Sequence, residues 1–130
     1  MKMLSKTSLY ALKSLLYLAE EKGSYYVSIL QISENLDIPF FYLTKIFQLL
    51  SKNGLVESQK GAKGGVRIIK DIDSITIGEV IYAIEQYSVE DLFFDTFTED
   101  KFSKLVHLLK YGNDDKYISI YETTLNNLLN

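Results

Sequence analysis

The segment from Phe40 to Ile69 constrains the fold of this chain more than any other part of the sequence. It reads FFYLTKIFQLLSKNGLVESQKGAKGGVRII. Its parts are an amphipathic helix, a glycine, a β-prone run, a basic glycine-rich tip and a returning β-prone run. Gly54 suits the left-handed residue at the end of a helix, so the change from helix to strand is predicted there. A helix followed directly by a small β-hairpin is the arrangement of a winged helix.

Two helices are predicted before this segment. The first spans about Lys6 to Glu21, where leucines recur at the three-to-four spacing of a buried face, and Gly23 closes it. The second starts at Ser28, and the spacing to Gln31 predicts reciprocal capping of the first turn. With the helix that follows, this gives the spacing of a helix-turn-helix.

The third helix has two distinct faces. Pro39 is predicted in its first turn, and the helix runs to about Asn53. At 100° per residue its apolar side chains share one arc, which must face the core. These are Leu43, Ile46, Phe47 and Leu50. The side chains on the opposite arc are Phe41, Thr44, Lys45, Gln48 and Lys52.

This opposite arc offers the chemistry that reads DNA. Thr44, Lys45 and Gln48 are candidates for hydrogen bonds to base edges, and Phe41 for contact with a thymine methyl group. Lys52, with Lys6 on the first helix, is a candidate for contact with the DNA backbone. Taken without the hairpin that follows, an ordinary solvated helix face would be the better explanation of the same residues; the hairpin reverses that preference.

The hairpin adds a second basic element. Its strands are predicted at Leu55–Gln59 and Val66–Ile69, and no acidic residue occurs from Ser58 to Lys70. Basic side chains and glycine N–H groups at a loop tip suit contacts with phosphates or the minor groove. The residues predicted to make them are Lys60, Lys63, Gly64 and Arg67. A nucleotide-binding loop is excluded because no Gly-Lys-Ser/Thr opens a helix here.

Charge and composition narrow the function further. Residues 1–70 carry ten Lys and Arg against five Asp and Glu, whereas residues 71–130 carry four against twelve. A basic front and an acidic back suit a protein that presents one end to a polyanion, although chance segregation of solvated charges is the alternative. The chain has no cysteine and a single histidine, and no apolar run of membrane-spanning length. These features predict a soluble cytoplasmic protein that is not an enzyme.

The last third of the chain is predicted to be mostly helical. Thr76 and Glu79 form a second capping pattern at the start of a helix. An acidic, aromatic loop is expected over 86–100, and apolar spacing predicts helices around 102–109 and 117–129. The fold class is therefore mostly α with a small β-hairpin wing.

The helices predicted after residue 100 carry more apolar surface than a small winged helix needs. The domain prediction follows from this excess. Residues 1–85 would form the winged helix-turn-helix domain, and 86–130 the acidic loop and C-terminal dimerisation helices. The alternative is a tail that folds back onto its own domain.

The chain resembles the Rrf2 family of bacterial winged-helix transcription regulators, over most of its length. The motifs that carry the resemblance are Tyr10–Leu12, Leu16–Ala19, Ile38, Tyr42–Leu43, Ile46, Leu50, Asn53–Val56, Ser58, Gly61–Gly65, Ile75–Ile81, Thr124–Leu125 and Leu128. The resemblance implies a homodimer on double-stranded DNA. A long C-terminal helix would cross to the partner, and two wings would grip a near-palindromic site.

Departures from the family pattern limit what is carried over. Many members hold a [2Fe–2S] cluster through three cysteines in the loop at 86–100, and this chain has none, so it resembles the cluster-free branch and no cofactor is predicted. Thr7–Leu9 stands where the family usually has Lys-Gly-Arg, just before Tyr10, so weaker phosphate contacts are expected there. Pro39, Phe41 and Thr44 replace the Ser, Ser and Glu common at the start of the recognition helix, so the operator cannot be borrowed.

The same loop region leaves one cation alternative open. His107 with Glu90, Asp91 and Asp95 could bind a hard divalent cation, whereas solvated acids explain the same residues.

The resulting prediction is a homodimeric, sequence-specific DNA-binding regulator that represses by steric occlusion. A winged-helix adaptor that binds protein rather than DNA is the alternative. An unknown small-molecule or protein effector is left open, and no membrane partner is expected.

Overall fold

A computed structural model of the chain describes residues 5–21, 25–85 and 123–129. In these ranges the elements, in chain order, are α1 (Lys6–Glu20), α2 (Ile29–Leu36), α3 (Phe40–Lys52), β1 (Val56–Gln59), β2 (Gly65–Ile68), α4 (Ile77–Glu85) and α5 (Leu125–Leu129). The predicted winged helix-turn-helix is confirmed, and its three helices lie within a residue or two of their predicted bounds. The predictions for Gly23 and for residues 86–122 lie outside the described residues.

Serine caps start both of the first two helices. Ser5 accepts a hydrogen bond from the Ser8 N–H at 3.0 Å, and Ser28 accepts one from the Gln31 N–H at 3.0 Å. The reciprocal half of the predicted capping at Ser28 is wrong. The Gln31 side chain instead donates to the Tyr17 hydroxyl at 2.9 Å, which ties α2 to α1.

The turn into α3 differs by one position from the prediction. Asp37 ends α2 in the left-handed conformation, with φ of 57°, and Ile38 is buried in the turn. Pro39 is the residue before the helix rather than part of its first turn, and its carbonyl accepts from Leu43 N–H at 2.9 Å. At the far end, Gly54 has φ of 78°, as a left-handed helix end requires.

The wing is a two-stranded antiparallel hairpin with a short third partner. β1 pairs with β2 in a register that places Glu57 opposite Arg67 and Gln59 opposite Gly65. Val27 exchanges two backbone hydrogen bonds of 2.9 Å with Val66, so the segment before α2 is attached to the outer side of β2.

One hydrophobic core joins these elements. Its largest fully buried side chains come from α1, α2, α3, the turn before α3, the start of the wing and the segment entering α4. They are Phe47, Leu9, Leu12, Leu15, Ile32, Ile38, Leu43, Ile46, Leu50, Leu55, Ile75 and Ile77. α3 packs into this core along the apolar arc that was predicted from the sequence. The side chains on the opposite arc of α3 therefore face outward.

The end of the chain returns to this core. Thr124 pairs with Thr76 in an antiparallel bridge, and the Leu125 N–H donates to the Ile75 carbonyl at 2.9 Å. Leu125 is fully buried and α5 packs against α1. The predicted helix over 117–129 is therefore wrong at Thr123 and Thr124, which are not helical. The division of the chain at residue 86 stays a prediction, but residues 123–129 pack onto the winged unit.

Within the described ranges, no helix combines the length and the apolarity needed to cross a membrane.

Candidate nucleic-acid interface

The outward side of α3 carries the residues that the sequence proposed for base contacts. Phe41, Lys45, Gln48 and Lys52 are exposed and Thr44 is partly exposed, whereas the core arc of the helix is buried. These five residues form the exposed face of α3. An α-helix that is anchored along one side and presents polar side chains along the other has the shape that enters a DNA major groove.

Thr44 differs from its neighbours in hydrogen bonding. Its hydroxyl donates to the Phe40 carbonyl one turn earlier, at 3.0 Å. A hydroxyl has a single hydrogen, so Thr44 retains acceptor capacity but has no second hydrogen to donate to a base. The sequence could not show this, because the backbone bond depends on the rotamer that Thr44 adopts.

An aromatic contact anchors the first turn of α3 to α1. The Tyr42 hydroxyl is hydrogen-bonded to the Thr7 hydroxyl, and the Tyr42 ring packs edge-to-face with Tyr10 at 5.5 Å between centroids. Sequence reasoning assigned no role to Tyr42 in the site. Tyr42 lies on the flank of α3, between the core arc and the exposed face. This position in the helical period is the sequence signal for a side chain that anchors α3 to α1.

The wing tip, residues Lys60–Gly64, is exposed at both of its lysines. Lys60 and Lys63 lie on either side of Gly61, which has φ of 109°. The Gly64 N–H, which the sequence analysis assigned to phosphate contact, donates to the Gly61 carbonyl at 3.0 Å within the turn. A Cβ at Gly64 would lie 2.0 Å from the Gln59 carbonyl oxygen, so close backbone approach by itself accounts for this glycine.

Arg67 lies on β2 rather than at the wing tip, and it is paired across the hairpin. Its Nε donates to the Glu57 carboxylate at 2.7 Å, and its guanidinium carbon lies 4.7 Å from the centre of the Tyr26 ring. The Tyr26 hydroxyl donates to the same Glu57 oxygen at 3.1 Å. Opposite charges at directly paired strand positions were the available sequence signal for this network.

The network shifts the pKa of each member in the direction its contacts require. Hydrogen bonds from Arg67 and then from Tyr26 lower the pKa of Glu57, and the bond to Glu57 raises the pKa of Arg67. Desolvation, followed by the hydrogen bond to Glu57, raises the pKa of Tyr26. The shifts favour an ionised Glu57, an ionised Arg67 and a neutral Tyr26, and the contacts among these three side chains hold the wing against the segment before α2.

A second polar cluster lies beside Lys6 at the start of α1. Lys6 is exposed, and the hydroxyls of Ser5 and Ser8 both donate to one carboxylate oxygen of Glu85, the last residue of α4. The bond from Ser8 is 2.6 Å long. Glu85 thereby links the end of α4 to the helix terminus that carries Lys6.

A cavity of about 500 Å³ lies behind the wing, away from the wing tip. The end of α1, the segment before α2 and β2 with the residues after it form its walls. They contribute Leu18, Ala19, Glu21, Tyr25, Val27, Arg67, Ile68, Ile69, Lys70 and Ile72. Its volume is in the range of cavities that hold small molecules, and its lining mixes apolar and charged side chains.

Comparison with known proteins agrees with this geometry. The model of the Rrf2 family, described as an iron-dependent transcriptional regulator, matches residues 4–106. The chain is 40% identical over 76 residues to the transcriptional regulator NsrR of Shouchella clausii, and 40% identical over 77 residues to IscR of Escherichia coli. The alignments cover 58% and 59% of this chain but 51% and 48% of those relatives, so the chain spans about half their length.

A solved structure supports the fold. CymR, the global cysteine regulator of B. subtilis, superposes with a TM-score of 0.72 over 98% of this chain and 96% of its own. Its sequence is 24% identical, so this likeness concerns the fold. The matched family consists of transcription regulators rather than enzymes.

Proposed function

The chain belongs to the Rrf2 family of transcriptional regulators, and we propose that it binds double-stranded DNA in a sequence-specific way. The observation that carries the proposal is the combination of the exposed face of α3 with the basic wing tip that follows it. The Leu55 N–H donates to the Leu50 carbonyl at 3.1 Å, so the wing continues directly from the end of α3. A helix in the major groove would therefore bring the wing tip to the flanking backbone or minor groove.

The residues divide into readers and anchors. Lys45 and Gln48, with Thr44 as an acceptor, would contact base edges, because their side chains project from the middle of the exposed face. Phosphate or backbone contacts are proposed for the exposed lysines of the wing and of the two helix ends, namely Lys60, Lys63, Lys6 and Lys52. Arg67 would reach a phosphate only while sharing its guanidinium with Glu57.

The proposal extends to a homodimer that represses transcription. Family membership and the apolar spacing in the last third of the sequence support a dimer. Two-fold symmetry would place two α3 helices in successive major grooves, about 34 Å apart, on a near-palindromic site. A dimer bound across a promoter would block polymerase sterically. The cytoplasm is the proposed location, because a bacterial regulator meets its DNA there.

We also propose that this regulator works without an iron–sulfur cluster. A cluster of the three-cysteine type needs thiolate ligands, and the chain has no cysteine, so its residues do not fit that group. The signal would then be a small molecule or a partner protein. The cavity behind the wing supports the first option, because its wall includes β2, one of the two strands of the wing.

The deciding experiment is selection of genomic fragments by the full chain at low salt, followed by competition with non-specific DNA and sequencing of what is retained. We expect a recurring near-palindrome, and a mass of two chains per site in sedimentation of the complex. Retention that non-specific DNA abolishes would contradict sequence-specific reading. Complete absence of DNA binding would favour the protein-adaptor alternative.

A further inference from the structure

The first turn of α3 presents an apolar surface where a DNA reader usually presents donors. The Phe41 side chain is 80% exposed and that of Phe40 is 39% exposed. The two rings pack edge-to-face, with centroids 5.4 Å apart and planes at 76°. Phe40 thus restricts the positions open to the Phe41 ring, which gives an exposed side chain a defined location.

The polar side chains of this turn have their hydrogen bonds inside the protein. The Thr44 hydroxyl hydrogen goes to the Phe40 carbonyl, and the Tyr42 hydroxyl is bonded to Thr7 of α1. Leu43 is buried in the core. Between Phe40 and Thr44, the outward surface therefore offers aromatic rings, and both side-chain hydroxyls of this turn already have a hydrogen-bond partner within the protein. Donors begin one turn later, at Lys45 and Gln48.

We propose that the first turn of α3 reads the C5-methyl group of a pyrimidine in the major groove, with Phe41 in contact with the methyl group and Phe40 as its positioning residue. This inference rests on the proposed DNA-binding function and adds its mode of reading. Among the groups that the four bases present in the major groove, the thymine methyl is the apolar one. Lys45 and Lys52 on the same exposed face draw the helix towards the polyanion, so DNA is the occupant that fits both the charge and the apolar turn.

Recognition of a base through its methyl group predicts a different order of base preference from recognition through hydrogen bonds. Thymine and 5-methylcytosine carry the same methyl group but opposite hydrogen-bonding groups at C4, whereas uracil keeps the thymine pattern without the methyl. At the position facing Phe41, recognition should therefore follow the methyl group. Removing one buried methyl should weaken binding about fourfold.

The experiment uses the full chain and a site obtained from genomic selection. Each thymine of one half-site is replaced in turn by deoxyuridine, and dissociation constants are compared by fluorescence anisotropy. We expect about a fourfold loss at one or two positions. At those positions, 5-methylcytosine paired with guanine should bind about fourfold more tightly than cytosine paired with guanine.

Two variants assign the effect to its residue. Phe41→Ala should bind thymine and deoxyuridine sites equally, since it has no ring to cover the methyl group. The matched control is Tyr82→Ala, which removes an aromatic side chain of α4 that is 53% exposed, and it should preserve the thymine preference. Both changes affect exposed side chains, and thermal melting verifies that each variant is folded.

Four results would overturn the inference. Equal binding of thymine and deoxyuridine at every position of a specific site would do so while leaving the proposed function intact. A thymine preference that survives in Phe41→Ala, or disappears in Tyr82→Ala, would refute the assignment to Phe41. A chain that binds no DNA would refute the proposed function and this inference together.

Discussion

The cationic residues of the wing lie in different environments because their positions across the hairpin differ. Arg67 faces Glu57 in the strand register, and its guanidinium is held by that carboxylate and the Tyr26 ring. Lys60 and Lys63 lie in the turn, where both side chains are exposed. The two lysines are therefore the wing residues whose charge is best placed to displace counterions from DNA.

This difference predicts the salt dependence of binding. Replacing Lys60 and Lys63 together by alanine should reduce the slope of log K against log salt concentration by roughly one to two units, because each lost phosphate contact lowers the slope by about one. The slope is measured by anisotropy between about 50 and 200 mM salt. Lys13→Ala is the control, since Lys13 on α1 donates to the Leu36 carbonyl in the body of the protein, and its slope should match wild type. An unchanged slope in the double variant would refute the role of the wing tip.

At the scale of elements, the sequence predicted what is locally determined. Gly54 and Ser28 marked the end of α3 and the start of α2 through bonds to near neighbours, and the core arc of α3 followed from its period. The non-helical Thr123–Thr124 could not be predicted in this way, because its conformation depends on pairing with Thr76, far away in the chain. The pairing of Arg67 with Glu57 likewise depends on the register between two strands, although the opposite charges of the two residues are visible in the sequence.

The attachment of the wing to the segment before α2 rests on one close backbone approach. Gly65 has φ of 148°, and a Cβ there would lie 2.2 Å from the Val27 carbonyl oxygen. Gly61 also has a positive φ, of 109°, but a Cβ there would meet nothing within 4 Å. Comparing substitutions at Gly61 and Gly65 therefore separates the effect of a strained backbone from the effect of a steric collision.

We expect Gly61→Ala to lower the free energy of unfolding by about 1 kcal/mol, and Gly65→Ala by about 2–4 kcal/mol because Val27 must move as well. Urea denaturation followed by circular dichroism gives both values. If the two variants are equally stable, the approach of Val27 to β2 is not tight enough to determine the wing position.

For the whole molecule, the described part of the chain shows that both ends of the segment 86–122 are attached to the same winged unit. Glu85, before it, accepts hydrogen bonds from Ser5 and Ser8 at the start of α1. Thr123, after it, accepts from the Ile77 N–H at 2.9 Å, at the start of α4. The two ends of this segment are therefore attached at the start of α1, which carries Lys6, and at the start of α4.

The packing of α5 makes the stability of the winged unit depend on the end of the chain. Leu125 is fully buried with Ile75 and the α1 leucines, whereas Leu129 on the same short helix is partly exposed and outside the core. Leu125→Ala should lower the free energy of unfolding by about 2–5 kcal/mol, as expected for a cavity in a packed core. Leu129→Ala, which removes the same atoms from the same helix, should cost less than about 1 kcal/mol.

Both variants are measured by urea denaturation of the full chain at one protein concentration, because association would add to apparent stability. Equal effects would mean that α5 is held as a whole rather than by Leu125, and a negligible effect of Leu125→Ala would show that the winged unit is stable without the returning end.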